Sequence, residues 1–99
     1  MADPTARNVF VFFAQLRPEK GDDRVREAIE EFGCSWAKLG QGMYYVHGDY
    51  DAQYVGNKVW GALNMDDKLV VVDSTNNDAR WFNVKPEISQ FMMDNWHAK

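Results

Sequence analysis

Ninety-nine residues, 45% of them hydrophobic and 14% aromatic, suffice for one small core and leave no room for a second. Eleven basic residues against fifteen acidic ones give a net charge of −4, split as six against eight over residues 1–50 and five against seven over residues 51–99. Neither half is therefore the basic arm on which non-specific nucleic-acid binding draws, and a single cysteine, Cys34, excludes an internal disulfide and offers no zinc set.

Residues 1–7 are polar and read as a tail, without the charged region and apolar core of a secretory leader. No run approaches the roughly 20 apolar residues of a membrane span, so the expectation is a cytoplasmic protein with no membrane partner. Residues 9–13 (Val9, Phe10, Val11, Phe12, Phe13) are uniformly apolar rather than alternating. That pattern predicts a strand in the middle of a sheet, covered on both faces or closed on one by a second copy.

A loop containing Arg17, Pro18, Glu19, Lys20 and Gly21 leads to Asp22 or Asp23 as N-cap of a helix. Val25, Ala28, Ile29 and Phe32 recur there at i, i+3, i+4 and i+7, and Gly33 suits the left-handed position that ends it. Residues 34–39 and 43–47 are short strand-like runs joined by Gly40, Gln41 and Gly42, a connection of hairpin length. Asp51 is placed to cap a second helix that turns Ala52, Val55, Val59, Ala62 and Leu63 inward. Gly56 and Gly61 each weaken that helix by about 1 kcal/mol relative to Ala and read as positions packed closely on the sheet.

Residues 64–67 turn the chain into residues 68–72, a β-branched run predicted to pair with the first strand. Residues 73–78 are a loop by composition, residues 79–84 an extra strand. Pro86 suits the first turn of a last helix with Ile88, Phe91, Met92 and Trp96 as its apolar stripe.

Strand, helix, strand, strand, helix, strand is the order of an α+β, ferredoxin-like βαββαβ sandwich. It spans residues 8–84 with the extra strand, and residues 85–99 form a C-terminal helix and tail. Two helices would cover one sheet face. The aromatic surplus suggests that a second copy covers the other, with Phe10, Phe12, Trp81, Phe82 and Val84 as candidate dimer-interface residues.

Arg17, Lys20, Arg24 and Arg26 could contact phosphates, but Glu19, Asp22, Asp23 and Glu27 sit among them and cancel their charge. Arg26 and Glu30, at i and i+4, are spaced as a surface pair. Trp36, Tyr44, Trp60, Trp81, Phe82 and Trp96 could stack bases as open-sheet RNA binders do, although core and interface account for aromatic residues in a chain this short. His47 and His97 have no acid or nucleophile at motif spacing, and Cys34 reads as a small core residue. No nucleophile–base pair, phosphate loop or dinucleotide fingerprint is present, and no cofactor is predicted.

The Arg17-Pro18 loop after the first strand, the helix ending in Gly33 before Trp36, the strand through Tyr44, Tyr45 and Val46 before a capped helix, and the run Asp66, Asp67, Lys68, Leu69, Val70, Val71 resemble a known group. It is the SinR-like branch of the small CRISPR-associated ferredoxin-like proteins, which also includes VapD-type toxins, and the similarity covers roughly residues 8–82. The resemblance implies a homodimer packed through its sheets, with the segment after the fourth strand, here residues 79–84, crossing to the partner. In CRISPR-associated members the dimer holds duplex DNA, and some members cleave nucleic acid with a divalent metal and an Asp at the end of the first strand. Here Gln15 stands at that place. A neutral amide is a poor ligand for Mg²⁺ and cannot act as a general base.

The resulting expectation is a non-catalytic homodimeric binding or assembly module, its further partner a nucleic acid or a host protein. The alternatives are a metal-dependent endonuclease using Asp22 or Asp23, and a nucleic-acid-binding dimer without catalysis.

Overall fold

The uniformly apolar first strand occupies the middle of a sheet. The computed structural model describes residues 6–17 and 22–96, in the order β1 (Arg7–Ala14), α1 (Asp23–Glu30), β2 (Ser35–Gly40), β3 (Met43–Gly48), α2 (Ala52–Trp60), β4 (Lys68–Asp73), β5 (Asp78–Phe82) and α3 (Pro86–Asn95). The strands form one antiparallel sheet in the order β2-β3-β1-β4-β5. β1 pairs with β3 on one side and with β4 on the other, so the two most apolar runs are neighbours.

Residues opposite each other in an antiparallel ladder share a face, and successive residues alternate. Val9–Val46, Val11–Tyr44 and Val11–Val71 therefore point to one side, Phe10–Tyr45, Phe12–Met43 and Phe12–Val70 to the other. The first side is the core: Val9, Val11, Tyr44, Val46, Leu69 and Val71 from the sheet meet Val25 and Ile29 of α1 and Ala52, Val55 and Val59 of α2, all buried. Each such aliphatic side chain contributes roughly 1.5–3 kcal/mol on burial.

Local signals fix the element ends. Gly33 adopts φ +68° after α1, and Asp51 caps α2 by accepting from the Tyr54 backbone N–H at 2.8 Å. Asp51→Ala is expected to lower the stability by about 1 kcal/mol, read as a drop in the urea midpoint with an unchanged slope. A Cβ on Gly56 would lie 3.1 Å from Phe82 Cε1, the close packing expected of it. Gly61 is instead an exposed helix end in ordinary right-handed geometry. The β2–β3 connection is a two-residue turn, Gln41 and Gly42, with a register shift between Lys38 and Gly40.

Two acids that sequence patterning did not single out tie down loops. Asp67, fully buried, accepts from the backbone N–H groups of Leu16 and Asn64, both at 2.9 Å. Asp73, also buried, accepts from the Thr75 and Asn76 backbones and from Arg7 Nη1 at 3.2 Å. It thereby shapes the turn into β5, in which Asn77 takes φ +51°. β5 returns along β4 of its own chain, Val70 opposite Trp81, whereas the resemblance implied that residues 79–84 cross to a partner.

The last helix forms where expected but does not bury its stripe. No residue of α3 is buried; Ile88 is 47% and Phe91 67% exposed. α3 is held by hydrogen bonds instead, Trp81 Nε1 donating to Ser89 Oγ at 2.7 Å and Trp96 Nε1 to the Asn77 carbonyl at 3.0 Å. No helix among the described residues is long and apolar enough to cross a membrane.

Candidate functional site

Two places could serve a function, the end of β1 and the sheet face that α1 and α2 leave uncovered. At the first, Gln15 follows β1 and lines a cavity of about 490 Å³ with Asp22, Lys38, Leu39, Gly40, Gln41 and Gly42. Asp22 sits at the N-terminus of α1, yet its side chain makes no capping hydrogen bond. It accepts instead from Tyr44 Oη at 2.7 Å and from Lys38 Nζ at 3.0 Å. The capping role expected of it is displaced because a buried phenol and an ammonium group reach it first.

Burial pushes the Asp22 carboxyl up, but the hydrogen bonds from Tyr44 and Lys38 and the Lys38 charge outweigh it and hold the group below the ordinary carboxylate value of 3.8. Burial, then the Asp22 hydrogen bond and charge, push the Tyr44 phenol well above its ordinary range. Since the folded state favours ionised Asp22, this site contributes stability above pH 3.8 and loses it as pH falls through the lowered value. The stability difference between wild type and Asp22→Asn is expected to shrink from pH 6 toward pH 2 in urea titrations. A difference that stays constant over that range would contradict this role.

Asp23 is exposed and pairs with Arg26 Nη2 at 3.4 Å, so the two candidate metal-binding acids serve different partners. Among the described residues no three of His, Cys, Asp and Glu gather into a set that could hold a metal. A carboxylate already neutralised by Lys38 beside the neutral Gln15 amide is suited to holding α1 against the β2–β3 hairpin.

The candidate phosphate contacts do not converge. Arg26 is bridged by Glu30 at 3.2 Å as well as by Asp23. Arg24 lines a shallow cleft between α1 and α2 with Glu27, Glu31 and Lys58, where Lys58 Nζ meets Glu31 at 2.6 Å. Arg17 is exposed after β1, and Lys20, like His97, lies outside the described residues. The helix side thus mixes both signs of charge.

The uncovered face is chemically different. β3 contributes Met43, Tyr45 and His47, β1 contributes Asn8, Phe10, Phe12 and Ala14, and β4 contributes Lys68, Val70 and Val72. Phe10 lies 6.5 Å from Phe12, nearly parallel, and 5.3 Å from Tyr45. Phe12 and Met43, paired across the strands, are each 39% exposed. At one end Asn8 Oδ1 accepts from Tyr45 Oη at 2.7 Å and lies 3.0 Å from His47 Nδ1. Lys68 alone carries a fixed charge among these side chains, and it donates to the Asn83 carbonyl at the opposite end.

Of the expected interface residues, Phe10 and Phe12 lie on this face. Trp81 lies on it too, opposite Val70 and bonded to α3, while Val84 is half-buried between β5 and α3. Phe82 is on the other side, stacked 5.2 Å from Trp60 and against Gly56. Trp36 and Tyr44, 5.9 Å apart, also belong to the helix side, so the aromatic residues proposed to stack bases do not share a surface. Tyr45, Met43, Val70 and Val72 were missed as surface residues. The alternation Met43, Tyr45, His47 against Tyr44, Val46 was the signal available for the first two. Cys34 is half-buried, its Sγ 2.9 Å from where a Cβ on Gly48 would stand, and burial pushes its thiol up, as befits a packing residue.

Comparisons with protein-family models, with curated proteins and with solved structures returned no match.

Proposed function

We propose that this chain is a non-catalytic homodimeric binding module that associates through the uncovered face of its sheet. The observation that carries the reading is the composition of that face: Phe10, Phe12, Met43, Tyr45, Val70 and Val72 in adjoining positions, with Lys68 as the one fixed charge on three strands. Contiguous apolar surface of this kind marks an interaction site. It suits a second copy because an apolar, nearly uncharged face is self-complementary about a two-fold axis.

The frame fits a ferredoxin-like ancestry. We read the order β2-β3-β1-β4, with two helices on one face and β5 added, as a split βαβ arrangement, which supports the proposed kinship to the SinR-like, CRISPR-associated proteins. The dimer proposed needs no exchange of residues 79–84. Cleavage is disfavoured because Gln15 replaces the acid of that group and Asp22 is held by Lys38 and Tyr44. Phosphate binding is disfavoured because Arg24 and Arg26 stand on α1, across the sheet from the aromatic cluster, among acids.

Sedimentation velocity over a range of concentrations, with fluorescence anisotropy of labelled single-stranded RNA, single-stranded DNA and duplex DNA at low salt, tests this. The expected result is a dimer and no oligonucleotide binding. A monomer that binds oligonucleotide with steep salt dependence would replace the reading by that of a nucleic-acid binder.

A further inference from the structure

α3 presents three sectors with different chemistry. At about 100° per residue, Ser89, Met92 and Trp96 share one side, and two of them hold the helix to the body through Trp81 and Asn77. Glu87, Gln90 and Asp94 share another, on which Gln90 Nε2 donates to Asp94 at 2.8 Å; this is an ordinary solvated side. Ile88 and Phe91 fall in the third. They are as apolar as the core and are both exposed; Asn95, the polar side chain between them, turns back to donate its Nδ2 to the Phe91 carbonyl at 2.8 Å, so the flank offers mainly apolar surface without a packing partner.

The flank borders the proposed dimer face. Trp81 is on that face, opposite Val70, and its indole N–H is bonded to Ser89. Ala79, on the same side and opposite Val72, is buried. α3 therefore stands along the β5 edge of the face as a wall, and Phe10 and Phe12 on β1 form the floor. The floor alone is small: the three strands β3, β1 and β4, about 4.8 Å apart with six residues of about 3.4 Å, give a planar footprint of roughly 300 Å². An interface of standard size needs about 800 Å² per partner.

We infer that the Ile88–Phe91 flank of α3 belongs to the same interface and is covered by the second copy, so that the dimer contact is a sheet face walled by the last helix. The inference rests on the dimer reading and extends it to residues outside the sheet. A second copy is the occupant the surfaces favour, since floor and flank are apolar while the helix charges, Glu87 and Asp94, lie in the remaining sector.

The test compares the full chain with Phe91→Asp and, as controls, Phe12→Glu and Asp94→Asn, by sedimentation equilibrium, with thermal melts to check folding. Phe91 is exposed, so its replacement should leave the melt of the subunit nearly unchanged. The expected result is a dimer dissociation constant raised at least tenfold in Phe91→Asp and unchanged in Asp94→Asn. A wild-type dimer that Phe12→Glu dissociates and Phe91→Asp leaves intact would overturn the role of α3 and keep the sheet-face dimer. A wild-type chain that stays monomeric would overturn both.

Discussion

Phe12→Glu is expected to convert the proposed dimer into a folded monomer, raising the dissociation constant at least a hundredfold, or about 2.7 kcal/mol. Phe12 is central on the uncovered face, beside Phe10, opposite Met43 on β3 and Val70 on β4. A two-fold interface would bury the new carboxylate twice, and the one fixed positive charge on these strands, Lys68, lies at the end of the face bonded to Asn83. An uncompensated buried charge costs several kcal/mol. In the isolated subunit the same carboxylate can turn to water, because the site is part-exposed, so the fold should survive with a loss of about 1 kcal/mol or less. Circular dichroism and the sedimentation mass measured together separate the two effects. Loss of the fold along with the dimer would show that Phe12 serves the subunit core instead.

Gly42→Ala is expected to be strongly destabilising for the addition of a single methyl group. Gly42 has φ +73°, which costs an L-residue about 1 kcal/mol or more. A Cβ there would also stand 2.4 Å from the Phe13 carbonyl oxygen, a backbone atom that cannot swing aside. Relief requires the hairpin to withdraw from β1, which breaks the hydrogen bond from the Phe13 N–H to the Gly42 carbonyl at 2.9 Å. Together these cost about 3 kcal/mol or more, a fall in melting temperature of roughly 12 to 24 °C for a domain of this size. Gly33→Ala supplies the control. Its φ of +68° is similar, but a Cβ would meet nothing within 4 Å, so it should lose only about 1 kcal/mol. Equal losses at the two sites would contradict the steric account.

These predictions differ in how far the amino-acid order foreshadows them. The element order, the pairing of the two apolar runs, the Asp51 cap and the glycine after α1 were legible because each depends on local chemistry or on a strong run of one residue type. The facing of the aromatic residues was not. β1 and β4 are apolar at nearly every position, so they carry no period-two signal to tell Phe10 from Val11 or Val70 from Val71, and a one-residue change of register exchanges the two faces. For the same reason Phe82 was grouped with Trp81, although the ladder turns one toward Trp60 and the other toward α3.

Asp22 shows a second limit. Three residues ahead of Val25 it reads as a helix cap, but its partners, Tyr44 and Lys38, stand 22 and 16 positions further along the chain. Asp67 likewise serves a backbone donor at Leu16, 51 residues away. The first bonds exist only once α1 lies against the β2–β3 hairpin, the last only once β4 lies beside β1, and no spacing rule anticipates them. Gln15 was legible as a departure from the acid of the group the chain resembles. The structure adds where the nearby carboxylate is directed.

The association of two copies through the sheet face is tested most directly by sedimentation equilibrium of the unmodified chain at low and at high salt. The account predicts a mass of twice 11.5 kDa at micromolar concentration, retained or strengthened at high salt, since an apolar interface gains as the repulsion between two chains of net charge −4 is screened. A mass of 11.5 kDa at every concentration and salt would contradict it.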